Sequence, residues 1–194
     1  MSSLRVLAIC AHPDDYEYSA SATLSKLSVN GNTIRGLVLS HGEKDGNGAK
    51  RVIEAKESAS RLGFKHAEIL GFPDTRLPEH ISEISVAIKR VIEEFDPHLI
   101  FTHSANDRHQ DHVAVYQATT QAVSHCLIFC FESPSGRDFK ADCGADIGES
   151  LKNKLGCVAV HTDQGSKHCM QPDRIIKWSE ERANMEHLEL VNCI

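Results

Sequence analysis

The sequence has no CxxC pair among its seven cysteines, no uninterrupted run of about 18 apolar residues, no low-complexity tract and no dense cluster of Lys and Arg. Each absence removes a class of protein. An odd number of cysteines without paired spacing indicates neither a disulfide framework nor a Cys-rich zinc site. Cys10, Cys126 and Cys130, all in apolar surroundings, are expected as buried, reduced thiols. Without the long apolar run there is no membrane span. The opening "MSSLRVLAIC" meets Pro13, Asp14 and Asp15 too soon for a signal peptide, so a soluble cytoplasmic chain is expected. A formal charge of -6 argues against nucleic acid or an anionic membrane as the main partner. Also missing are a GxGxxG after the first apolar run and, in "GEKDGNGAK", the GxxxxGK[ST] order of a phosphate loop. Both absences weigh against a nucleotide- or sugar-binding module without turnover.

What is present is a repeated alternation. At 194 residues the chain can bury a large core, and one domain over 1–194 is expected. Apolar β-rich runs at "LRVLAIC" (4–10), "NTIRGLVLS" (32–40), "HAEILGF" (66–72), "HLIFTH" (98–103) and "CLIFCFE" (126–132) alternate with helical patterns. The helices fall at "SASATLSKLSV" (19–29), 51–62, 81–95, 113–124 and about 173–190. The clearest covers 81–95, where Ile81, Ile84, Ile88, Val91, Ile92 and Phe95 recur at helical spacing. Such alternation predicts an α/β fold, a Rossmann-like, mainly parallel sheet flanked by helices, with ligands bound beyond the carboxyl ends of the strands. The tract from Ser133 to about Lys154 is polar, contains Gly and has no strong period.

The segments leaving those strand ends are "AHPDDYE", "SHGEKDG", "GFPDTR", "THSANDRHQDH" and "FESPSGR", all rich in groups that bind metals or polar substrates. A hydrolytic zinc typically has three His or carboxylate ligands and one open position. His12, Asp15 and one histidine of "NDRHQDH" (Asp107, His109, Asp111, His112) meet that count. Asp14 is then free to face a water whose pKa the metal lowers from 15.7 toward about 7, and to accept its proton. The bland alternative reads "HPDD" as a turn, with Pro13 setting φ and an Asp capping the next helix, and "HQDH" as a solvated helix start. Their joint position at strand ends of one sheet favours the metal site.

"AHPDD" after the first strand and "HxDH" after the fourth resemble the PIG-L/LmbE-type zinc-dependent N-acetylglucosaminyl deacetylases. The resemblance extends over most of 4–134, through "ATLSKL", Arg51 to Glu54 as RxxE, "RLGF", "GFPDTRL", "FDPHLIFTHSANDRHQDHVAVYQAT" and "FESPS", and faintly to "AVHTDQ". It implies that His12, Asp15 and His112 hold zinc, with other divalent metals possible, and that Asp14 is the general base. It further implies that His109 stabilises the oxyanion and that Asp111 orients His109. Arg51, Arg108 and His161 match positions that reach substrate in the family, and each also reads as an ordinary surface cation. Asp74 reads equally as a loop cap or a site residue. His41, His66, His80, His98, His125, His168 and His187 read as structural or surface histidines.

The implied reaction is hydrolytic removal of the acetyl group from a small N-acetylglucosamine-type sugar or conjugate, by a homo-oligomer, trimer or hexamer. The rival within the class is an amidase acting on another N-acyl or thiol-sugar conjugate. Two departures bear on the pocket. "YSASATL" puts Ser19, Ala20 and Ser21 where the family has GxGGT, and "HTDQ" puts Asp163 where a hydroxyl is usual.

Overall fold

A computed structural model of the chain describes residues 3–183 and 188–193. The five expected runs form strands β1 (Arg5–Cys10), β2 (Thr33–Ser40), β3 (His66–Phe72), β4 (Leu99–Thr102) and β5 (Leu127–Phe131), all paired in parallel. Their order in the sheet is β3-β2-β1-β4-β5. The central strands are apolar on both faces because both faces are covered. Leu7 and Ile9 of β1 point into a cluster with Ile84, Ile88 and Val91 of α4 (Ile81–Phe95) and Val115 of α5 (Gln110–Ala122). Val6, Ala8 and Cys10 point the other way, onto Leu24 of α2 (Ser21–Val29) and Ala59 of α3 (Gly48–Arg61).

The chain runs outward from β1 to β3, then returns to lay β4 on the other side of β1. That reversal opens a crevice beyond the carboxyl ends of β1 and β4. The segments entering it are the two that carry the histidine and aspartate motifs.

Helix starts differ from the periodic pattern. α3 begins at Gly48, with Asn47 accepting the Lys50 N–H at 3.1 Å, and α5 begins at Gln110, with His109 as its cap. The segment after β1 is two helices, α1 (Asp15–Ser19) and α2, separated at Ala20. Cys10 and Cys130 are buried as expected, but Cys126 is only partly so, its Sγ donating to Pro97 O at 3.1 Å. No disulfide joins any of the seven cysteines.

The C-terminal third departs most. The tract after β5 contributes β6 (Cys143–Asp146) and α6 (Leu151–Val158). The last helix, α7, spans Pro172–Ala183 and does not reach residue 190; Leu188–Cys193 is instead strand β7, antiparallel between β5 and β6. Pairing with β5 buries Val191, while Glu189 is buried against α2 and α6. The alternation in "LELVNC" is a strand pattern that the preceding helical period masks. His187 lies outside the described residues.

Candidate metal centre

The turn after β1 brings four carboxylates and four imidazoles together. Asp15 lies between two rings, its Oδ2 3.4 Å from His12 Nδ1 and its Oδ1 3.3 Å from His112 Nε2. Each ring turns its other nitrogen to an outer carboxylate. His12 Nε2 is 3.0 Å from Asp74 and 3.2 Å from Asp111, and His112 Nδ1 is 2.9 Å from Asp107. Imidazoles that ligate a metal characteristically hold a carboxylate or carbonyl on the second nitrogen, which fixes tautomer and orientation. Both expected ligand histidines meet that condition.

His103 and His109 complete the group. His103 is fully buried, with Nε2 3.2 Å from Asp15 Oδ2 and its ring stacked 3.9 Å from His112. His109 stacks on the other face of the group, 4.5 Å from His112 and edge-on to His12 at 4.8 Å. Donor atoms of His12, His109 and His112, of Asp15, His103 and His112, and of His12, Asp74 and Asp111 each lie within 4.8 Å of one another, so the cluster can hold a metal ion.

The protons show the same demand for positive charge. Burial works against a charged His112, yet Asp15 and Asp107 raise it to about 9. Burial likewise opposes charge on His12, and Asp111 and Asp15 outweigh it, raising its pKa well above the usual range. Burial would raise Asp15, but His112 and His103 hold it well below the carboxylate range. A buried acidic cluster that retains protons this strongly exchanges them for a cation on metal binding.

Asp14 is set apart from these contacts. It adopts φ +114°, a strained backbone position for a residue with a side chain, and as the residue before α1 it makes no capping hydrogen bond. The turn-and-cap reading of "HPDD" therefore fails at Asp14. Its Oδ1 instead accepts from Arg51 Nη2 at 3.2 Å. Burial and the Asp15 charge push its pKa up to about 6, against the opposing pull of Arg51.

Asp111 faces differently from the family-based expectation. Its carboxylate accepts from Thr75 N–H at 2.7 Å and Leu77 N–H at 3.2 Å and lies on His12, not on the His109 ring. It touches His109 through its backbone N–H, which donates to His109 Nδ1 at 3.3 Å. As the residue after the first of α5, it directs its side chain inward toward the 74–77 loop.

Of the three candidate substrate residues, one reaches the cavity. His12, Asp14, Arg51, His109 and His112 are among the residues lining a cavity of about 260 Å³. Arg108 is exposed and lies outside it, donating its backbone N–H to Ser135 O at 3.1 Å. His161 is also outside it, buried with Nε2 3.2 Å from Glu17 Oε1. Asp163 points away, pairing with Lys50 and accepting from Asn47 N–H at 3.2 Å, so the unusual "HTDQ" ties down the start of α3. Asp74 is a site residue as well as a loop tie, since its Oδ2 accepts from Lys44 N–H at 2.9 Å. Sequence reasoning missed His103. Its signal is its place directly after β4, equivalent to that of His12 near the end of β1.

Fold and cluster together define a doubly wound α/β protein whose switch point carries a His/Asp cluster able to hold a metal ion. The family PIG-L, described as GlcNAc-PI de-N-acetylase, matches residues 7–123, and the chain belongs to it. It is 34% identical to the uncharacterized deacetylase YaiS of Escherichia coli, over 67% of this chain and 74% of that protein. It is 32% identical to the diacetylchitobiose deacetylase of Thermococcus kodakarensis, over 82% of this chain and 70% of that one. The 4-carboxy-2-hydroxymuconate hydratase GalB of Pseudomonas putida superposes with a TM-score of 0.86 at 16% identity, covering 98% of this chain and 96% of its own. The last likeness is one of fold, and it shows that the fold alone does not choose the reaction.

Proposed function

We propose that the protein is an N-deacetylase that removes the acetyl group from an N-acetylglucosamine-type sugar or conjugate, with residues 1–194 acting as one catalytic domain. The observation that carries the reading is the separation of two adjacent acids: Asp15 sits among His12, His103 and His112, while Asp14 faces the cavity on Arg51. The chemistry of the donor set fits zinc, a carboxylate and two imidazoles leaving a coordination position open, with His12, Asp15 and His112 as its holders. Bound there, the ion supplies a Lewis acid for the amide carbonyl and lowers the pKa of water.

The chain's residues supply the rest. Asp14 accepts a proton from the attacking water and returns it to the leaving amine. Arg51, donating to Asp14 Oδ1, Pro13 O and Gly42 O, keeps that carboxylate at the cavity. Burial and the nearby His112 shift His109 down, against a charged ring. The Asp111 N–H needs a lone pair at His109 Nδ1, which leaves the ring proton on Nε2 to donate to the developing oxyanion. Asp74, Asp107 and Asp111 hold the two ligand imidazoles from behind. Acetate and a free amino sugar are the products.

The test is acetate release from N-acetylglucosamine and a panel of its conjugates by zinc-loaded protein. Cleavage only of other N-acyl compounds selects the wider amidase reading; cleavage of none overturns both. No described helix is long and apolar enough to cross a membrane, in keeping with the cytoplasmic location we propose. The trimeric or hexameric assembly implied by family resemblance is tested by light scattering on the purified chain.

A further inference from the structure

The cavity that Asp14 lines adjoins another. Tyr18, Pro134 and Cys169 line it and also line a second cavity of about 260 Å³, whose far wall is α7 with Arg174, Lys177, Trp178 and the carboxylate of Glu181. The two spaces share those three residues as a common wall and lie side by side.

Its surfaces have distinct chemistry. Tyr18 is nearly buried, with the fully buried Lys154 Nζ 5.7 Å over its ring, so it forms a fixed floor. The half-buried Trp178 ring rests 5.3 Å from Tyr18 at 50°, presenting an aromatic surface of the kind that stacks on a flat or sugar-like ring. Arg174 and Lys177, one helical turn apart, share a face of α7. Their acidic neighbours hold them loosely: Asp173 lies 3.8 Å from Arg174 and Glu181 lies 3.6 Å from Lys177. Exposed pairs of this kind contribute little and exchange readily for a ligand anion. An Arg offers a carboxylate two parallel donors, and a Lys adds a point charge. None of these side chains contributes to the chemistry at Asp14.

We propose that this outer cavity is a subsite for the group attached to the acetylated sugar, and that it takes an aglycone presenting a planar ring to Trp178 and an anionic oxygen group to Arg174 and Lys177. The inference rests on the deacetylase reading above and narrows its substrate to acidic conjugates.

Steady-state kinetics of zinc-loaded protein on N-acetylglucosamine, its phenyl glycoside and its 4-carboxyphenyl glycoside, each glycoside in both anomeric forms, tests it. In the wild type, KM is expected to be at least tenfold lower for the better carboxyphenyl anomer than for the matching phenyl glycoside, with kcat within twofold. The double variant Arg174→Glu/Lys177→Glu is expected to close that gap by raising the carboxyphenyl KM, while the phenyl KM moves less than twofold. Trp178→Ala is expected to raise KM for both aryl glycosides several-fold relative to the free sugar, and Trp178→Phe to restore most of it. Equal KM for the two aryl glycosides, or a charge reversal that shifts all three substrates alike, overturns the subsite. If the free sugar and phenyl glycoside are cleaved without this discrimination, the subsite alone falls. If the wild type cleaves none of the three, the deacetylase reading falls and takes the subsite with it.

Discussion

Arg51, on α3, reaches the turn after β1 and places one guanidinium nitrogen 3.2 Å from Asp14 Oδ1 and 2.7 Å from Pro13 O. The pair joins two segments 37 positions apart, and Arg51 is 2% exposed. Gly42 makes room for it: a Cβ at that position would meet Arg51 Nη1 at 2.2 Å, and φ there is +66°.

Removing either side of this contact has a defined cost. Arg51→Ala leaves the partly buried Asp14 carboxylate and two carbonyls without their buried donor, a loss of at most about 3–5 kcal/mol by analogy with broken buried pairs. Gly42→Ala adds backbone strain of about 1–3 kcal/mol and displaces the same guanidinium. Chemical denaturation is expected to show both losses, and acetate release to fall in both variants. A Gly42→Ala protein with wild-type midpoint and activity would contradict this packing.

Asp111 is expected to act on the metal through His12. Asp111→Asn removes the charge beside His12 Nε2 but leaves the backbone N–H that contacts His109. Chelator competition is therefore expected to show roughly 10–100-fold weaker metal binding, the usual effect of losing such an outer partner. Full metal affinity with reduced kcat would instead support the role on His109.

The buried pair Lys154–Glu189, 2.7 Å apart, binds the C-terminal strand to the body of the fold. Glu189 also accepts from Ala22 N–H at 3.0 Å and Thr23 N–H at 2.7 Å, at the start of α2. Lys154→Met is expected to destabilise by about 3–5 kcal/mol because Glu189 remains buried and charged. The Lys154→Met/Glu189→Leu double variant should recover part of that loss, measured by urea unfolding.

A pH signature follows from His161. Burial would lower its pKa, but the neighbouring Glu17 raises it above the ordinary value. Protonation is thus favoured in the folded state. The stabilisation is fully present below the unfolded pKa of about 6.5 and is lost as pH rises through the higher folded value. The unfolding free-energy difference between wild type and His161→Asn should be largest near pH 6 and shrink toward pH 9. A difference that stays flat across that range would contradict it.

The parts legible in the sequence are those whose signal is local. Strands β1 to β5 announce themselves as short apolar, β-rich runs, and α4 because Ile84, Ile88 and Val91 keep one period against one sheet face. His12, Asp15 and one histidine of "NDRHQDH" could be grouped from topology, since two neighbouring strand ends must meet, and the family resemblance singled out His112. The rest depended on long-range contacts. Glu189 falls in the helix expected to about residue 190, and nothing local shows that Lys154 and α2 surround it. Asp111 reads as a partner of His109, two residues away, because nothing local reveals that Thr75 and Leu77 offer it two N–H groups. Arg108 and His161 have suitable side chains but do not line the cavity; His161 lies buried on Glu17, where its charge still lowers the pKa of Asp14.

The division of labour between Asp14 and the histidine cluster is tested most directly by measuring bound zinc and acetate release in Asp14→Asn and His112→Ala beside the wild type. Asp14→Asn is expected to keep one zinc per chain and lose roughly 10²–10⁴-fold in kcat, while His112→Ala loses both metal and activity. Equal loss of zinc in the two variants, or near wild-type turnover in Asp14→Asn, would contradict the account.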